Sequence, residues 1–240
     1  MRVVRETLRI ADLPSSLEGA TVAHLTDIHR CWSTSDALLK KAVRVTMEAK
    51  PDLILLTGDY VTENPKDIAP CAEILTPLKA RFGVHFILGN HDYTTNAPAV
   101  LRALEGIGFQ SLINRNVCFE GGLWIAGLDD DREGEPFFDR AFADIPEMAT
   151  PIVLAHNPAM AEMFSYLDCY TLSGHTHGGQ VVLPFLTAYK IWLIGAKAYR
   201  SGWYTVGKAK LYVNNGLGNV AVPFRLFAPP VVAFFTLQPR

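Results

Sequence analysis

Four short apolar runs along the chain each end in a turn that carries polar side chains. They read TVAHLTD at 21–27, DLILLTGD at 52–59, VHFILGNHD at 84–92 and PIVLAHNP at 151–158. Runs of this length, rich in Val, Ile and Leu and followed by Gly, Asp or Asn, predict buried strands.

Between the first two runs, residues 35–49 predict an amphipathic helix, whose apolar face is formed by Leu38, Leu39, Ala42, Val43 and Thr46. A strand, a helix and a second strand in this order favour a parallel pair, because a crossover of this length returns the chain in the same direction. A second helix is expected over 97–105, after Asn96 and with Pro98 in its first turn.

The pattern changes after residue 109 to shorter alternating runs. The segment NVCFEGGLWIAGLDD at 116–130 predicts a hairpin that turns at Gly121-Gly122, and runs at 203–213 and 231–237 are also typical of strands. The first half therefore predicts an α/β fold, to which the second half adds β-strands. No repeat or linker-like composition divides the chain, so a single domain over 1–240 is expected.

Composition fits a globular protein with a sizeable core. The 240 residues are 49% hydrophobic and 19% charged. A net charge of −2 disfavours a protein held to nucleic acid mainly through phosphate contacts. The four cysteines are far apart and form no CxxC pair, and the N-terminus is charged. No apolar run approaches the ~18 residues that a membrane span needs. These features predict a cytoplasmic protein.

Polar clusters follow the predicted strands at their C-terminal ends. They are Asp27-x-His29, Gly58-Asp59, Gly89-Asn90-His91-Asp92, His156-Asn157 and Gly174-His175-Thr176-His177-Gly178-Gly179. Loops at the carboxyl ends of strands converge in α/β sheets, so these side chains are expected to meet. Carboxylate, imidazole and amide ligands suit manganese, iron, cobalt or zinc. Seven such ligands exceed the needs of one tetrahedral ion and fit two ions that share a carboxylate.

A lone histidine is more often a core residue satisfied by backbone partners, but five histidines in this order favour the metal site. The ordered motifs D-x-H, G-D, G-N-H-D, H and G-H-x-H resemble the calcineurin-like metallophosphoesterase superfamily. The segments GLDD, AHNP, GHTHGGQ and NNGLGNVAVPFRLFAPP extend the resemblance to the YkuE/YaeI-like membrane-associated phosphoesterases. This resemblance implies a four-layer α/β/β/α sandwich.

The resemblance also implies a role for each residue. Asp27, His29 and His177 would hold a first divalent ion, Asn90, His156 and His175 a second, and Asp59 would bridge them. His91 and Asp92 would be catalytic: His91 would face the substrate, and Asp92 would orient its imidazole. A hydroxide bridging the ions would attack the phosphorus. Manganese would be the first metal to assay, with iron, zinc and cobalt as alternatives.

Arg30 departs from the family pattern, which commonly has a small apolar residue and Gly after D-x-H. Here the chain reads Asp27-Ile28-His29-Arg30-Cys31-Trp32. Arg30 is a candidate for substrate binding through a phosphate. The alternative is a solvated or structural arginine.

The segment 181–204, VVLPFLTAYKIWLIGAKAYRSGWY, is apolar and aromatic yet carries Lys190, Lys197 and Arg200. Exposed side chains here would form a patch for lipid or an acyl chain; the candidates are Phe185, Leu186, Ile191, Trp192 and Leu193. The alternative is that they pack as core.

The expected function is hydrolysis of a phosphomonoester, phosphodiester or pyrophosphate, lipid-linked or nucleotide-linked, such as a UDP-diacylglucosamine-type substrate implied by the resemblance. Two rivals stay open: a non-catalytic metal-binding scaffold of the same fold, and a nuclease, which the acidic balance disfavours. The expected partners are the phosphoester substrate and, through 181–204, the inner face of the cell membrane. Nothing in the sequence calls for nucleic acid or an obligate protein partner.

Overall fold

Two six-stranded sheets form the centre of the protein in a computed structural model that describes residues 1–184 and 186–240. The first has the order β1-β12-β2-β3-β4-β5 and the second the order β10-β11-β9-β8-β7-β6. The strands are β1 Arg2–Ile10, β2 Thr21–Leu25, β3 Leu53–Thr57, β4 Val84–Ile87, β5 Gln110–Ser111, β6 Arg115–Phe119, β7 Leu123–Gly127, β8 Ile152–Leu154, β9 Tyr170–Ser173, β10 Gly202–Val206, β11 Ala209–Val213 and β12 Val231–Pro239.

Helices cover the outer faces of both sheets. They are α1 Asp36–Glu48, α2 Ile68–Leu75, α3 Asn90–Gly106, α4 Phe138–Ala141 and α5 Leu186–Leu193. Apolar residues of α1, α2 and α3 pack on the first sheet, and Ala141 of α4 packs on the second with Phe164. A third core lies between the sheets and joins Leu55, Ile125 and Leu172. The four-layer α/β/β/α arrangement implied by the family resemblance is confirmed.

Strand β3 illustrates why the predicted strands are continuous apolar runs rather than alternating ones. Leu55 contributes to the core between the sheets, whereas Ile54 and Leu56 contribute to the core under the helices. Both faces of the strand are therefore buried, as is usual for parallel strands that helices cover. The predicted parallel pairing of β2 with β3 is confirmed, and β4 continues it.

Helix α3 starts earlier than the sequence predicts. It begins at Asn90 and is interrupted at Asn96, whose φ of 178° and ψ of 82° are extended. The side-chain Oδ1 of Asn96 accepts a hydrogen bond from the backbone N–H of Ala99 at 3.1 Å. The predicted helix at 97–105 with Asn96 before it is thus present. The turn that precedes it carries Asn90, His91 and Asp92.

Segment 181–204 includes α5 and the start of strand β10. Phe185 lies outside the described residues. No helix in the described part of the chain is long and apolar enough to cross a membrane.

Candidate metal centre

The predicted ligands lie beyond the carboxyl ends of five parallel strands. Asp27, Asp59 and Asn90 follow β2, β3 and β4 of the first sheet, and His156 and His175 follow β8 and β9 of the second. Because the two sheets face one another, the loops from both meet at one edge of the sandwich.

Five of these residues have a left-handed backbone, which non-glycine residues rarely adopt. They are Asp27 (φ 48°), His29 (φ 42°), Asp59 (φ 57°), His175 (φ 68°) and His177 (φ 53°). A residue in this region carries strain on the order of 1 kcal/mol, and such residues are concentrated at functional sites. In this protein, the strained residues include those whose side chains converge at the predicted metal centre.

Glycines allow the loops to approach the carboxylates closely. A Cβ on Gly174 would lie 2.2 Å from Asp27 Oδ2, and a Cβ on Gly89 would lie 2.4 Å from Asp59 Oδ1 and 2.8 Å from His156 Cε1. Neither position has room for a side chain. The glycines of the G-H-x-H and G-N-H-D motifs therefore make space for the acidic ligands.

The structure brings six of the seven predicted ligands into two groups that share Asp59. The groups are Asp27, His29, Asp59 and His177, and Asp59, His156 and His175. Asp59 Oδ2 lies 3.2 Å from His29 Nε2 and 3.1 Å from His156 Nε2. Asp27 Oδ1 lies 3.4 Å from His177 Nε2. Every residue in both groups is buried.

Hydrogen bonds behind the second group turn one nitrogen of each imidazole towards the other ring. His156 Nδ1 donates to the carbonyl of Thr57 at 2.7 Å, and His175 Nε2 donates to the carbonyl of Ile194 at 2.9 Å. Since a carbonyl only accepts, the nitrogens that face each other are His156 Nε2 and His175 Nδ1, which are 3.3 Å apart. In two neutral rings their lone pairs would repel one another beside the Asp59 carboxylate, so a proton or a metal ion is needed between them.

Unsatisfied buried atoms agree with this donor set. Asn90 Oδ1 is buried and has no hydrogen-bond partner among the described residues, and His29 Nε2, which is also buried, lies 3.2 Å from Asp59 Oδ2 without the alignment of a hydrogen bond. Buried polar atoms rarely remain without one. A divalent ion at each group would satisfy both atoms, so the residues fit a pair of ions, with Asn90 beside the second.

The pKa shifts in the second group have a common electrostatic origin. Burial acts to lower the pKa of His156, but the Asp59 carboxylate outweighs burial and holds that pKa well above its usual value. Burial and neighbouring His156 lower the pKa of His175 to about 3, so its imidazole is neutral. The proton that His156 retains takes the place of the positive charge that a metal ion would supply.

His91 lies at the edge of the two groups and is half-buried. Its backbone N–H donates to Asp59 Oδ1 at 2.9 Å, and its ring lies 4.9 Å from that of His29. His91 Nδ1 contacts the carbonyl of Thr62 at 3.1 Å. The carbonyl holds the proton on Nδ1 and leaves Nε2 free.

Asp92 does not have the predicted contact with the His91 imidazole. Its carboxylate is fully buried and accepts hydrogen bonds from the backbone N–H groups of Gly89 and Asp59, at 3.0 and 2.8 Å, and from Tyr60 at 2.8 Å. The short helical turn directs the Asp92 carboxylate back to its own N-terminus, as in a capping box. Asp92 therefore supports the loops that carry Asp59, and Thr62 orients His91.

Arg30, which was predicted as a candidate for binding a substrate phosphate, is paired with two carboxylates. Its Nε lies 3.2 Å from Asp36 Oδ1, and its Nη1 forms an ion pair with Asp67. Two carboxylates already neutralise the guanidinium, so an anionic substrate would have to displace one of them.

Sequence reasoning missed three residues of the site. Thr62 contacts both His29 Nδ1 and His91 Nδ1. Asp130 is fully buried, and its charge raises the pKa of His156. Arg225 lies 3.2 Å from His177 Nδ1. Arg225 is part of the NNGLGNVAVPFRLFAPP segment that carries the resemblance, but no pattern in that segment indicates its contact.

Sequence comparison gives a consistent assignment. A model of the calcineurin-like phosphoesterase family matches residues 20–195. The uncharacterized metallophosphoesterase YkuE of Bacillus subtilis is 31% identical, over 99% of this chain and 86% of that protein. An uncharacterized metallophosphoesterase of Campylobacter jejuni is also 31% identical, over 95% of this chain and 61% of its own length.

A solved structure agrees with the fold. The crystal structure of a dimetal phosphatase from Danio rerio superposes with a TM-score of 0.60 at 11% identity, covering 92% of this chain and 93% of that one. At this identity the likeness concerns the fold alone. The family match, the buried Asp and His groups and this likeness in fold agree on one assignment. The chain belongs to the calcineurin-like phosphoesterase family of metal-dependent phosphoester hydrolases.

Proposed function

We propose that this protein hydrolyses a phosphoester or pyrophosphate whose leaving group or remaining part is a lipid. The observation that carries this proposal is an apolar cavity of 820 Å³ beside the ligand loop. Its lining includes Val182, Leu183, Ile191, Tyr204 and Phe227. Ligand pockets of such size commonly hold an apolar group while a few polar residues fix its orientation.

The cavity is attached directly to the loop that carries His175 and His177. Thr176, which lies between them, donates its hydroxyl hydrogen to the carbonyl of Arg200 at 2.7 Å, and Arg200 lines the cavity. A Cβ on Gly179 would lie 2.6 Å from Thr187, another lining residue. An acyl chain in this cavity would therefore lie beside the loop that carries two of the predicted ligands.

Exposed apolar side chains continue from the cavity over the surface of α5. Leu186, Trp192 and Leu193 are 58%, 64% and 61% exposed, and Phe227 is 82% exposed. Ile191 differs from the expectation: it is buried and lines the cavity instead of the surface. Large exposed apolar side chains in one area are typical of a surface that meets lipid, so we propose peripheral contact with a membrane through this patch.

Positive charge accompanies the apolar patch. Lys190 is exposed on α5, and Arg200 is exposed at the cavity. Lys197 also lines the cavity, but it forms an ion pair with Glu162. Basic residues beside exposed apolar ones favour an anionic lipid surface or an anionic head group.

The geometry of the site supports a proposed role in catalysis for each residue. Two divalent ions, when bound, would activate water and neutralise charge on the phosphoryl group. Their ligands would be Asp27, His29, Asp59 and His177 at the first site, and Asp59, Asn90, His156 and His175 at the second. His91 would donate a proton from Nε2 to the leaving oxygen when its ring is charged, because Thr62 holds Nδ1.

Filling the cavity tests the lipid-linked substrate. Ala188 lines the cavity and is exposed, so Ala188→Phe is expected to enter it without disturbing the core. We expect KM for an acylated phosphoester to rise by about tenfold, as two to three buried methylenes are displaced. Kinetics with manganese on a long-chain phosphoester and on p-nitrophenyl phosphate would measure the change.

The matched control is Ala37→Phe, an exposed alanine of α1. Ala37→Phe should leave the hydrolysis of both substrates unchanged. Ala188→Phe should leave the hydrolysis of p-nitrophenyl phosphate unchanged. Equal effects of Ala188→Phe on both substrates would contradict the acyl-chain role of the cavity. Turnover of single-stranded DNA or RNA in preference to acylated substrates would favour the nuclease, and no turnover on any phosphoester would favour the scaffold.

Membrane contact has a separate test. Trp192→Ser with Leu193→Ser removes two exposed apolar side chains of α5. We expect binding to vesicles of anionic phospholipid to fall by about tenfold or more, because two bulky side chains leave the lipid. Co-sedimentation would measure it. The control is Met148→Ser with Tyr166→Ser, which removes two comparably exposed residues outside the patch, and equal loss in both double variants would argue against this surface.

A further inference from the structure

A cavity of about 320 Å³ lies beside His91 and is separate from the apolar cavity near α5. Its lining includes Trp32, Thr62 and Glu63, and we call it the Trp32 cavity. Thr62 connects it to the site, because its carbonyl contacts His91 Nδ1 at 3.1 Å and its hydroxyl contacts His29 Nδ1 at 3.0 Å. Among the described residues, none lines both cavities.

The position of the Trp32 cavity indicates which part of a substrate it would hold. His91 is the proposed proton donor to the leaving oxygen, so the leaving group has to lie next to His91. The Trp32 cavity adjoins His91 through Thr62, whereas the apolar cavity adjoins the loop of His175 and His177. The leaving group would therefore enter the Trp32 cavity, and a lipid on the remaining part would enter the apolar one.

The walls of the Trp32 cavity carry more negative than positive charge. Arg30 lines it and is paired with Asp67, another lining residue, and with Asp36. Glu63 also lines it, is exposed, and forms no salt bridge among residues 1–184 and 186–240. Lys66, three positions from Glu63, is not part of the lining. One guanidinium is thus accompanied by three carboxylates, which repel a second phosphate and attract a cation.

The indole of Trp32 completes a site for a cation. Trp32 is 81% exposed and lines the cavity together with Glu63. Tryptophan attracts a cation over its ring face more strongly than the other aromatic residues, and aromatic rings recognise quaternary ammonium groups in this way. Trp32 belongs to the Arg30-Cys31-Trp32 sequence that departs from the family pattern. It therefore indicates a preference of this chain rather than of the family.

We propose that the Trp32 cavity binds the ammonium group of an amino alcohol that leaves the phosphoester. The substrate would be a zwitterion, with its phosphate at the predicted ions and its ammonium group between Trp32 and Glu63. In the reaction a water oxygen bonds to phosphorus, and the bond between phosphorus and the amino-alcohol oxygen breaks. His91 Nε2 donates a proton to that oxygen, and the attacking water releases one proton in return. This inference rests on the proposed function and names the leaving group of its substrate.

Choline and neohexyl alcohol test the preference for a cation. The two alcohols have nearly the same shape, but a carbon atom replaces the nitrogen in neohexyl alcohol, so only choline is charged. Titrations followed by saturation-transfer NMR give both dissociation constants without turnover. We expect choline to bind about fivefold more tightly. Choline should also inhibit the hydrolysis of p-nitrophenyl phosphate competitively, because it occupies the leaving-group side. Equal affinity for the two alcohols would overturn the inference.

Substitutions on the cavity wall test each contact. Glu63→Gln removes the charge and keeps the size of the side chain, and Trp32→Leu removes the ring. Both residues are exposed, so folding should be retained, and thermal melting checks it. Each variant should bring the two dissociation constants close together. The matched controls, Glu73→Gln and Tyr166→Leu, change exposed side chains outside the lining and should keep the preference. A Trp32→Leu variant that loses vesicle binding but keeps the preference would assign the indole to the membrane and overturn the inference.

Two zwitterionic phosphoesters distinguish the source of the ammonium group. Phosphocholine is a free monoester, and lysophosphatidylcholine carries the same head group on a lipid. The ester with the higher kcat/KM for choline release identifies the source, and Glu63→Gln should lower that value about fivefold. Release of phosphocholine from the lipid would overturn the inference, because the ammonium group would then be on the part that keeps the phosphate. Release of choline from neither ester, while p-nitrophenyl phosphate is hydrolysed, would also overturn it.

The binding and kinetic results separate this inference from the proposed function. Selective binding of choline without turnover of any acylated phosphoester would contradict the lipid-linked substrate alone. Turnover of acylated phosphoesters with equal affinity for the two alcohols would contradict the role of the Trp32 cavity alone.

Discussion

Replacing Asp59 by asparagine is expected to lower kcat/KM for phosphoester hydrolysis by about 1000-fold, and to reduce bound manganese from two ions to one or none. Asp59 is the only residue shared by the two groups, and its Oδ2 lies within 3.2 Å of both His29 Nε2 and His156 Nε2. An amide is neutral and offers one oxygen. A loss of about 4 kcal/mol in transition-state stabilisation corresponds to that factor.

The matched control lies at the other end of the same strand. Asp52 precedes β3 and accepts a hydrogen bond from the backbone N–H of Thr21 at 2.8 Å, whereas Asp59 follows β3. Asp52→Asn should keep both ions and nearly full activity. Metal content from plasma emission, measured beside steady-state kinetics, distinguishes the variants. Two retained ions and normal turnover in Asp59→Asn would remove Asp59 from its bridging role.

Adding one methyl group at Gly89 is expected to be almost as damaging as removing a ligand. The new Cβ would lie 2.4 Å from Asp59 Oδ1 and 2.8 Å from His156 Cε1, so the loops must move apart. A displacement of about 1 Å in a catalytic group can cost about 100-fold in rate. We therefore expect Gly89→Ala to lose about 100-fold in kcat/KM and to bind manganese more weakly.

Gly106→Ala is the control for this substitution. Gly106 ends α3, and among the described residues a Cβ there would meet no atom within 4 Å outside the adjacent helix backbone. It should leave activity unchanged and raise the melting temperature slightly, because alanine loses less chain entropy on folding than glycine. Kinetics and thermal unfolding of both variants make the comparison. Normal activity in Gly89→Ala would mean that the loops around Asp59 can move apart without loss of activity.

The position of the site could be predicted because local signals and topology agree. Four of the five motifs follow a predicted apolar run, and burial of both faces of β3 accounts for the continuous character of such a run. Parallel strands then bring the motifs to one edge. The helix at 97–105 could be predicted for a similar reason, since the Asn96 cap is a local interaction.

What the sequence did not predict depends on contacts between distant residues. Arg30 has Asp67 as a partner 37 positions away, and Arg225 reaches His177 over 48 positions. Asp92 was predicted to contact its neighbour His91, but the helical turn directs its carboxylate to the backbone of Gly89 and Asp59 instead. Charge and spacing alone do not distinguish an arginine that binds substrate from one held by carboxylates.

The left-handed backbone of five predicted ligands has a consequence for sequence divergence within the family. At Asp27, His29, Asp59, His175 and His177, an alanine would lose the ligand and keep the strain. Glycine would lose the ligand and relieve strain on the order of 1 kcal/mol. A descendant freed from catalysis should therefore drift towards glycine at these positions. Glycine in place of these ligands in a relative would mark a centre that has stopped holding metal.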